Sequence, residues 1–320
     1  MGDKIITKKI PIYGKDTDPH RGVKNSYPTS HYAFRQVCIH MIVGQRGQGK
    51  THACSKLISQ AQKEKTFDSL YLISPSALSN KSYFEKFIPD ENIFKPTKDS
   101  IEQVIQRVEE ERDEWEEYLK RKKLYDDFVA VLGSKRDLTD FEIFRFEELG
   151  FLDEHMSKPV WKYKQIRPPT SAVILDDVLG SALLKSNKLE ELFSTNRHIA
   201  PLQEPHSGRS ALGLSIYILA QSYRCPGGVG RIIREQITEL TLFKNRQRKQ
   251  INVIRDELAS IVSEEKFERA LDYATSKPFG HLTVSFGNLA CPTLTFREGF
   301  NNLIIFKDDA MECHCDKKND

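Results

Sequence analysis

One octapeptide constrains this chain more than any other feature. Gly44-Gln45-Arg46-Gly47-Gln48-Gly49-Lys50-Thr51 follows the apolar run Val37-Cys38-Ile39-His40-Met41-Ile42-Val43 and leads into a helix-like stretch from His52. This is G-x-x-x-x-G-K-[ST] set between a strand and a helix. The glycines let the backbone fold into a nest whose N–H groups point at phosphate oxygens, and the following helix adds its positive N-terminal end. Lys50 is placed to reach the β- and γ-phosphates, and Thr51 to hold Mg²⁺ through its hydroxyl. The whole loop from Gly44 to Thr51 is therefore expected to cradle ATP with Mg²⁺. A chain of this length meets the pattern by accident on the order of once in a hundred cases, and the strand-loop-helix setting makes a ligand-free turn rarer still. The fold expected around such a loop is α/β, a mostly parallel sheet flanked by helices.

With 320 residues the chain has ample length to bury a core, as one large α/β domain or two small ones. Charged residues make up 29% and the net charge is only +3, so any surface for nucleic acid has to be local. No stretch approaches the roughly 20 apolar residues that span a bilayer. Met1-Gly2-Asp3-Lys4 opens without the apolar segment of a signal peptide, and Ile6 stands where a myristoylation motif needs Ser or Thr. A soluble, intracellular protein with no membrane partner is expected. Six cysteines, Cys38, Cys54, Cys225, Cys291, Cys313 and Cys315, are scattered in the manner of reduced thiols. Cys313-His314-Cys315 is half of a metal-ligand pattern whose other half is missing at any usual spacing, so it reads as a terminal tail.

Residues 1–35 are polar and broken by Pro11, Gly14, Pro19, Gly22 and Pro28, which predicts an extended arm lying on the domain or reaching a neighbour. The P-loop domain spans 36–306, and 307–320 form a C-terminal tail. Residues 37–44 read as a buried parallel strand, and Ala53, Cys54, Leu57, Ile58 and Ala61 recur at helical spacing after it. Ser69–Ser74 is a second strand ended by Pro75, followed by a short helix at Tyr83–Phe87 and a short strand at Ile93-Phe94. From Ser100 to about Leu124, Ile101, Val104, Ile105, Val108, Trp115, Tyr118 and Leu119 make a thin apolar seam on a charged helix. Crossovers in α/β units are short, so the stretch at about 98–168, some 70 residues, is a helical insertion. Leu183–Asn196 is expected to be helical, with a polar loop after it through Gly208. Val229–Gln236 reads as a short helix, Thr238–Phe243 as a strand and 251–276 as helical, and apolar runs at 281–286, 292–296 and 303–306 as strands that extend the sheet.

Two strands carry polar residues where ligands bind. Ala172-Val173-Ile174-Leu175-Asp176-Asp177 ends in two acids, at the edge where open parallel sheets hold their ligands. Beside a P-loop, Asp176 is the aspartate bonded to Mg²⁺ through water or Thr51, and Asp177 is placed to orient or deprotonate the attacking water. Without that loop an exposed Asp-Asp turn would be the simpler reading. The strand Leu214–Ala220 ends at Gln221, whose amide can hydrogen-bond the γ-phosphate or the water. Lys244, Arg246, Arg248 and Lys249 form the densest basic cluster near the sheet, a candidate contact for duplex DNA or else a solvated loop.

The ordered series of P-loop, strand ending Asp176-Asp177, Arg197-His198, strand ending Gln221, Pro226 and Arg234 resembles the FtsK–HerA superfamily. Within it, the series is most similar to the A32-like genome-packaging ATPases of large DNA viruses and virophages. The family places Asn two residues after the downstream Arg, whereas this chain has Gln236. The resemblance implies a homo-oligomeric ring that couples ATP hydrolysis to pumping double-stranded DNA into a capsid, with capsid proteins as further partners. It implies a place in the virion or the host-cell cytoplasm. It also implies that an arginine from the next subunit offsets transition-state charge; Arg197, Arg231 and Arg234 are candidates, and Arg234 best matches the family position. A cellular translocase of the HerA or conjugative type shares the same motifs. A nucleoside or nucleotide kinase would need an acceptor pocket and an Arg-rich lid that cannot be assembled from these residues. A GTPase would need Asn-Lys-x-Asp at a strand end, which is absent.

Overall fold

The apolar run before the Gly-rich loop becomes a fully buried strand, and the sheet extends from it on both sides. The computed structural model describes residues 5–9, 37–75, 83–134, 136–148, 150, 158–178, 180–206, 209–224, 229–245, 247–259, 262–286 and 295–307. In chain order the strands are β1 (Ile5–Lys9), β2 (Ile39–Val43), β3 (Ser69–Ile73), β4 (Ile93–Phe94), β5 (Ser171–Asp176), β6 (Pro201–His206), β7 (Arg209–Ala211), β8 (Leu214–Ala220), β9 (Glu239–Phe243), β10 (His281–Ser285), β11 (Phe296–Glu298) and β12 (Asn302–Phe306). The helices are α1 (Lys50–Lys63), α2 (Ser100–Gly133), α3 (Asp140–Glu148), α4 (Asn187–Thr195), α5 (Arg231–Glu235), α6 (Arg248–Leu258) and α7 (Glu264–Ala274).

Ten strands form one sheet in the order β1-β12-β11-β10-β9-β2-β8-β5-β3-β4. From β9 to β4 every pairing is parallel; from β9 outward through β10, β11, β12 and β1 every pairing is antiparallel. Strands β2, β3, β5, β8 and β9 bury every residue, as parallel strands covered on both faces do. Side-chain alternation splits the core in two. Ile39, Met41 and Val43 face α2 and α4 to α7, whereas Cys38 and Ile42 face the buried stripe of α1. The parallel register sets Val43 opposite Ala220 and Asp176 opposite Leu219. The loops that follow β2, β5 and β8 therefore emerge side by side at one sheet edge.

Four sequence expectations change or gain detail here. The polar loop after α4 is a hairpin of β6 and β7. It has no apolar alternation to betray it, because it packs through Leu202 and through Gln203, whose backbone N–H donates to Glu116 Oε1 at 2.8 Å. The helix expected at 183–196 is split into a 3-10 turn at Ala182–Lys185 and α4, which Ser186 caps by accepting from the Lys188 N–H at 3.3 Å. The helix expected from Ser100 to about Leu124 runs on to Gly133, and its start is part of the domain. Ile101, Val104 and Val108 lie in the main core, Trp115 and Tyr118 pack with Trp161, and Phe128 meets Phe146 farther out. Ile5–Lys9, expected in the extended arm, forms the outermost strand against β12. Residues 10–36 and 308–320, with Cys313, His314 and Cys315, lie outside the described residues. Among the described residues no helix is long and apolar enough to cross a membrane, and no group of three or more His, Cys, Asp or Glu is placed to hold a metal.

The sheet also buries a histidine. His40 on β2 is fully covered, and its Nε2 lies 2.8 Å from Thr241 Oγ1 on β9, which in turn lies 2.9 Å from Thr283 Oγ1 on β10. Burial, with the nearby Arg297 and His281 charges, holds its pKa down at about 3 against an ordinary 6.5. Above pH 6.5 the ring is neutral folded or unfolded and contributes no pH dependence. Below it the unfolded chain takes a proton that the folded chain refuses until about pH 3, so stability falls as pH drops across that window, by on the order of 4 kcal/mol. Urea unfolding at stepped pH should show the loss, and His40→Gln should remove about one proton from its slope. An unchanged slope would show that His40 is not the group titrating.

Candidate active site

Each residue of the Gly-rich loop is held for a local reason. Gly44 continues the β2 ladder by donating its N–H to Ala220 O at 3.1 Å. A Cβ on Gly44 would lie 2.9 Å from the Phe243 Cβ, so only glycine allows β9 to come this close. Gly47 (φ 81°) and Gly49 (φ 92°) take the left-handed conformation that turns the loop. The Gln48 side chain braces it from within, since its Oε1 accepts from the Gln45 N–H at 2.6 Å while its Nε2 donates to Lys244 O. Helix α1 begins at Lys50 with no acidic residue in its first turn, leaving its N-terminal N–H groups and dipole to an anion. Arg46 stands exposed on the cleft side of the loop.

Lys50 Nζ donates to Gly44 O at 2.7 Å and to Gln45 O at 3.3 Å. Burial lowers its pKa while Asp176 and Asp177 oppose that shift. An ammonium resting on two carbonyls beside two carboxylates is poised to move onto phosphate oxygens. Thr51 Oγ1 donates to Asp176 Oδ2 at 3.3 Å, across the gap between α1 and the end of β5. These are hard oxygen donors of the kind that suits Mg²⁺, which keeps waters and phosphate oxygens as its other ligands. Asp176 is buried and Asp177 exposed, so the two neighbouring acids meet different surroundings. Asp177 adopts φ 54°, a left-handed conformation that Asp and Asn tolerate better than most residues. Its Oδ1 accepts from Gln221 Nε2 at 2.8 Å, so the ends of β5 and β8 are joined at the cleft. Lys50, Thr51, Asp176, Asp177 and Gln221 all line one cleft of ≈ 1380 Å³.

The arginines are placed differently. The Arg234 side chain is only 7% exposed and belongs to a structural cluster, with Nε and Nη2 donating to Glu257 at 3.3 and 2.9 Å and Nη1 donating to Val229 O at 2.9 Å. Its guanidinium also lies over the Tyr223 ring, 5.4 Å from the centroid. The expected role of Arg234 as the arginine offered to a neighbour is therefore not what this geometry displays, because its hydrogen-bonding groups point inward onto Glu257. Arg231 is exposed and pairs with Glu235 at 2.6 Å, and Arg197 is exposed just beyond α4. Of the basic cluster, Lys244, Arg248 and Lys249 are exposed, and Arg246 lies outside the described residues. Three further contacts tie α6 to the segment after Gln221. Gln250 Oε1 accepts from the Tyr223 N–H at 3.1 Å, Gln250 Nε2 donates to Ser222 Oγ, and Tyr223 Oη donates to Glu257 Oε2 at 2.6 Å. The sequence placed Gln48 in the loop but not its bracing contacts, and it carried no signal for Gln250 or Glu257 in these places, nor for Phe279, His281 and Phe300, which also line the cleft.

A parallel sheet with this loop after one strand, two acids after another and a helix starting at the lysine identifies the architecture. The fold is that of a P-loop NTPase. No protein-family model matches the chain, and no curated protein matches it. Among solved structures it is similar to the genome packaging NTPase B204 from Sulfolobus turreted icosahedral virus 2 in complex with sulfate. That match has 12% identity and a TM-score of 0.42 and covers 79% of this chain and 94% of that one. It is also similar to the cytoplasmic domain of the type VII secretion ATPase EccC from Thermomonospora curvata, at 13% identity and a TM-score of 0.40, covering 93% of this chain and 28% of that one. The pCW3 conjugation coupling protein TcpA in its monomer form with ATPγS is similar at 15% identity and a TM-score of 0.37, with 77% and 62% covered.

Proposed function

We propose that this P-loop NTPase is an ATP hydrolase of the FtsK–HerA superfamily that translocates double-stranded DNA as a homo-oligomeric ring and packages a viral genome. The observation that supports hydrolysis best is the Gln221 to Asp177 hydrogen bond beside Lys50 and the Thr51–Asp176 pair. Lys50 and the α1 N-terminus would hold the phosphates, and Thr51 with buried Asp176 would hold Mg²⁺, which would supply positive charge to offset that of the phosphates. Exposed Asp177 orients the attacking water and accepts its proton, while Gln221 fixes that carboxylate and senses what it holds. Of the three arginines the resemblance offers, Arg197 and Arg231 are exposed, Arg231 beside Glu235, whereas Arg234 would have to leave Glu257 and Tyr223.

DNA contact is assigned to Lys244, Arg246, Arg248 and Lys249. The net charge of +3 is too small for the whole surface to hold a duplex, but a cluster repeated around a ring neutralises several phosphates at once. Such contacts give steep salt dependence with little sequence preference. Replacing Arg246, Arg248 and Lys249 together with Ala should abolish stimulation of ATP turnover by long duplex DNA and flatten its dependence on salt, while basal turnover persists. A triple variant that keeps both the stimulation and the slope would move the DNA contact elsewhere. Duplex DNA that leaves wild-type turnover unchanged would argue against a translocase altogether.

A further inference from the structure

The two ends of the cleft differ in chemistry. Asp176, Asp177 and Gln221 stand at one end, following β5 and β8 on one side of β2. Phe279, His281 and Phe300 stand on the other side of β2, where β9 is followed by the antiparallel strands. His281 pairs with Phe243 in the sheet, and Gly299 donates its N–H to His281 O at 2.8 Å, so both loops reach the same edge as the P-loop. The His281 ring lies 4.9 Å from that of Phe243 and 4.8 Å from that of Phe300, which makes an aromatic shelf.

Phe279 is the residue that a folding argument alone does not account for. Its side chain is 70% exposed, and its backbone is left-handed at φ 59°, a conformation that costs a bulky residue roughly 1–3 kcal/mol. Neighbouring contacts impose the strain. The Gly280 N–H donates to Lys277 O at 3.0 Å, and a Cβ on Gly280 would come within 2.4 Å of Ala274 O. The result aims the ring at the phosphate loop, since a Cβ on Gly49 would sit 3.5 Å from Phe279 Cδ1. A triphosphate laid along the loop with its γ end at Asp177 and Gln221 has its other end on this side of β2.

We infer that Phe279, which lines the cleft with Phe243, His281 and Phe300, is the nucleobase subsite and stacks on the purine ring of ATP. This rests on the reading of the cleft as an ATP site. Stacking on an aromatic face is tolerant of which base is bound, so the subsite adds affinity for a nucleotide over a bare triphosphate more than it selects one base over another.

The test compares binding of Mg²⁺ with the non-hydrolysable β,γ-imido analogue of ATP and with inorganic tripolyphosphate, by calorimetry on the full chain. Phe279→Gly removes the ring and accepts φ 59° without strain, so the loop keeps its shape. It should weaken the ATP analogue by about 5- to 150-fold, the measured worth of one base–aromatic stack, and leave tripolyphosphate unchanged. Phe279→Trp should restore the loss. Equal weakening of both ligands would overturn the proposal, since Phe279 would then be supporting the loop. So would an unchanged affinity for the analogue. Wild-type protein that binds neither ligand would overturn the ATP reading itself, whereas wild-type protein that binds both equally overturns the base subsite alone.

Discussion

Lys50→Ala is expected to melt as the wild type does and to release no phosphate from ATP. Among the described residues the Nζ group donates hydrogen bonds to the carbonyls of Gly44 and Gln45, both in the loop, and Lys50 belongs to neither main hydrophobic core. Its loss therefore removes no packing, and the cost in stability should stay within about 1 kcal/mol. The chemistry is different. A preorganised positive charge at the transferring phosphoryl group is among the largest contributions to such reactions, and losing one such donor costs on the order of a thousandfold or more. Steady-state phosphate release beside a thermal melt separates the two effects. Turnover near the wild-type rate would sink the assignment of the loop.

The second large effect separates the paired acids. Asp177→Asn should still bind Mg·ATP and turn over about 10²–10⁴ more slowly, because it loses the group that receives the proton from water. Asn accepts the left-handed backbone at this position, so the end of β5 should keep its course. Asp176→Asn should instead weaken binding itself, and only when Mg²⁺ is present, because this buried carboxylate faces the Thr51 hydroxyl. Nucleotide affinity with and without Mg²⁺, set beside turnover, reads both variants. Should Asp176→Asn be the one that traps nucleotide, the roles of the two acids are exchanged.

The meeting of residues at the ends of β2, β5 and β8 was legible because each part is signalled within a few residues. The glycines and Lys50 follow one apolar run, Asp176 and Asp177 end another, and Gln221 ends a third. Parallel pairing then brings the three ends together, and nothing else is required to predict that they meet. The partner of Arg234 was not legible, because Glu257 stands 23 residues away on a different helix and either residue alone reads as an ordinary surface charge. The hairpin of β6 and β7 was hidden for a related reason: Pro201, Gln203, Glu204 and Pro205 face solvent on both sides and leave no period to read. Phe279 was equally silent, since an aromatic residue before a glycine shows neither its backbone strain nor the loop it faces until the antiparallel strands are in place.

The basic segment after β9 is anchored at or just beyond both ends to elements that border the cleft. At its start, Gln48 of the phosphate loop grips the Lys244 carbonyl; just past its end, Gln250 grips Ser222 and Tyr223, immediately beyond Gln221. The described ends of the segment are thus joined to the P-loop on one side and to the residues just past Gln221, whose amide donates to Asp177, on the other. On the proposed reading, a displacement of this segment would be felt at the Gly-rich loop and at the end of β8 together.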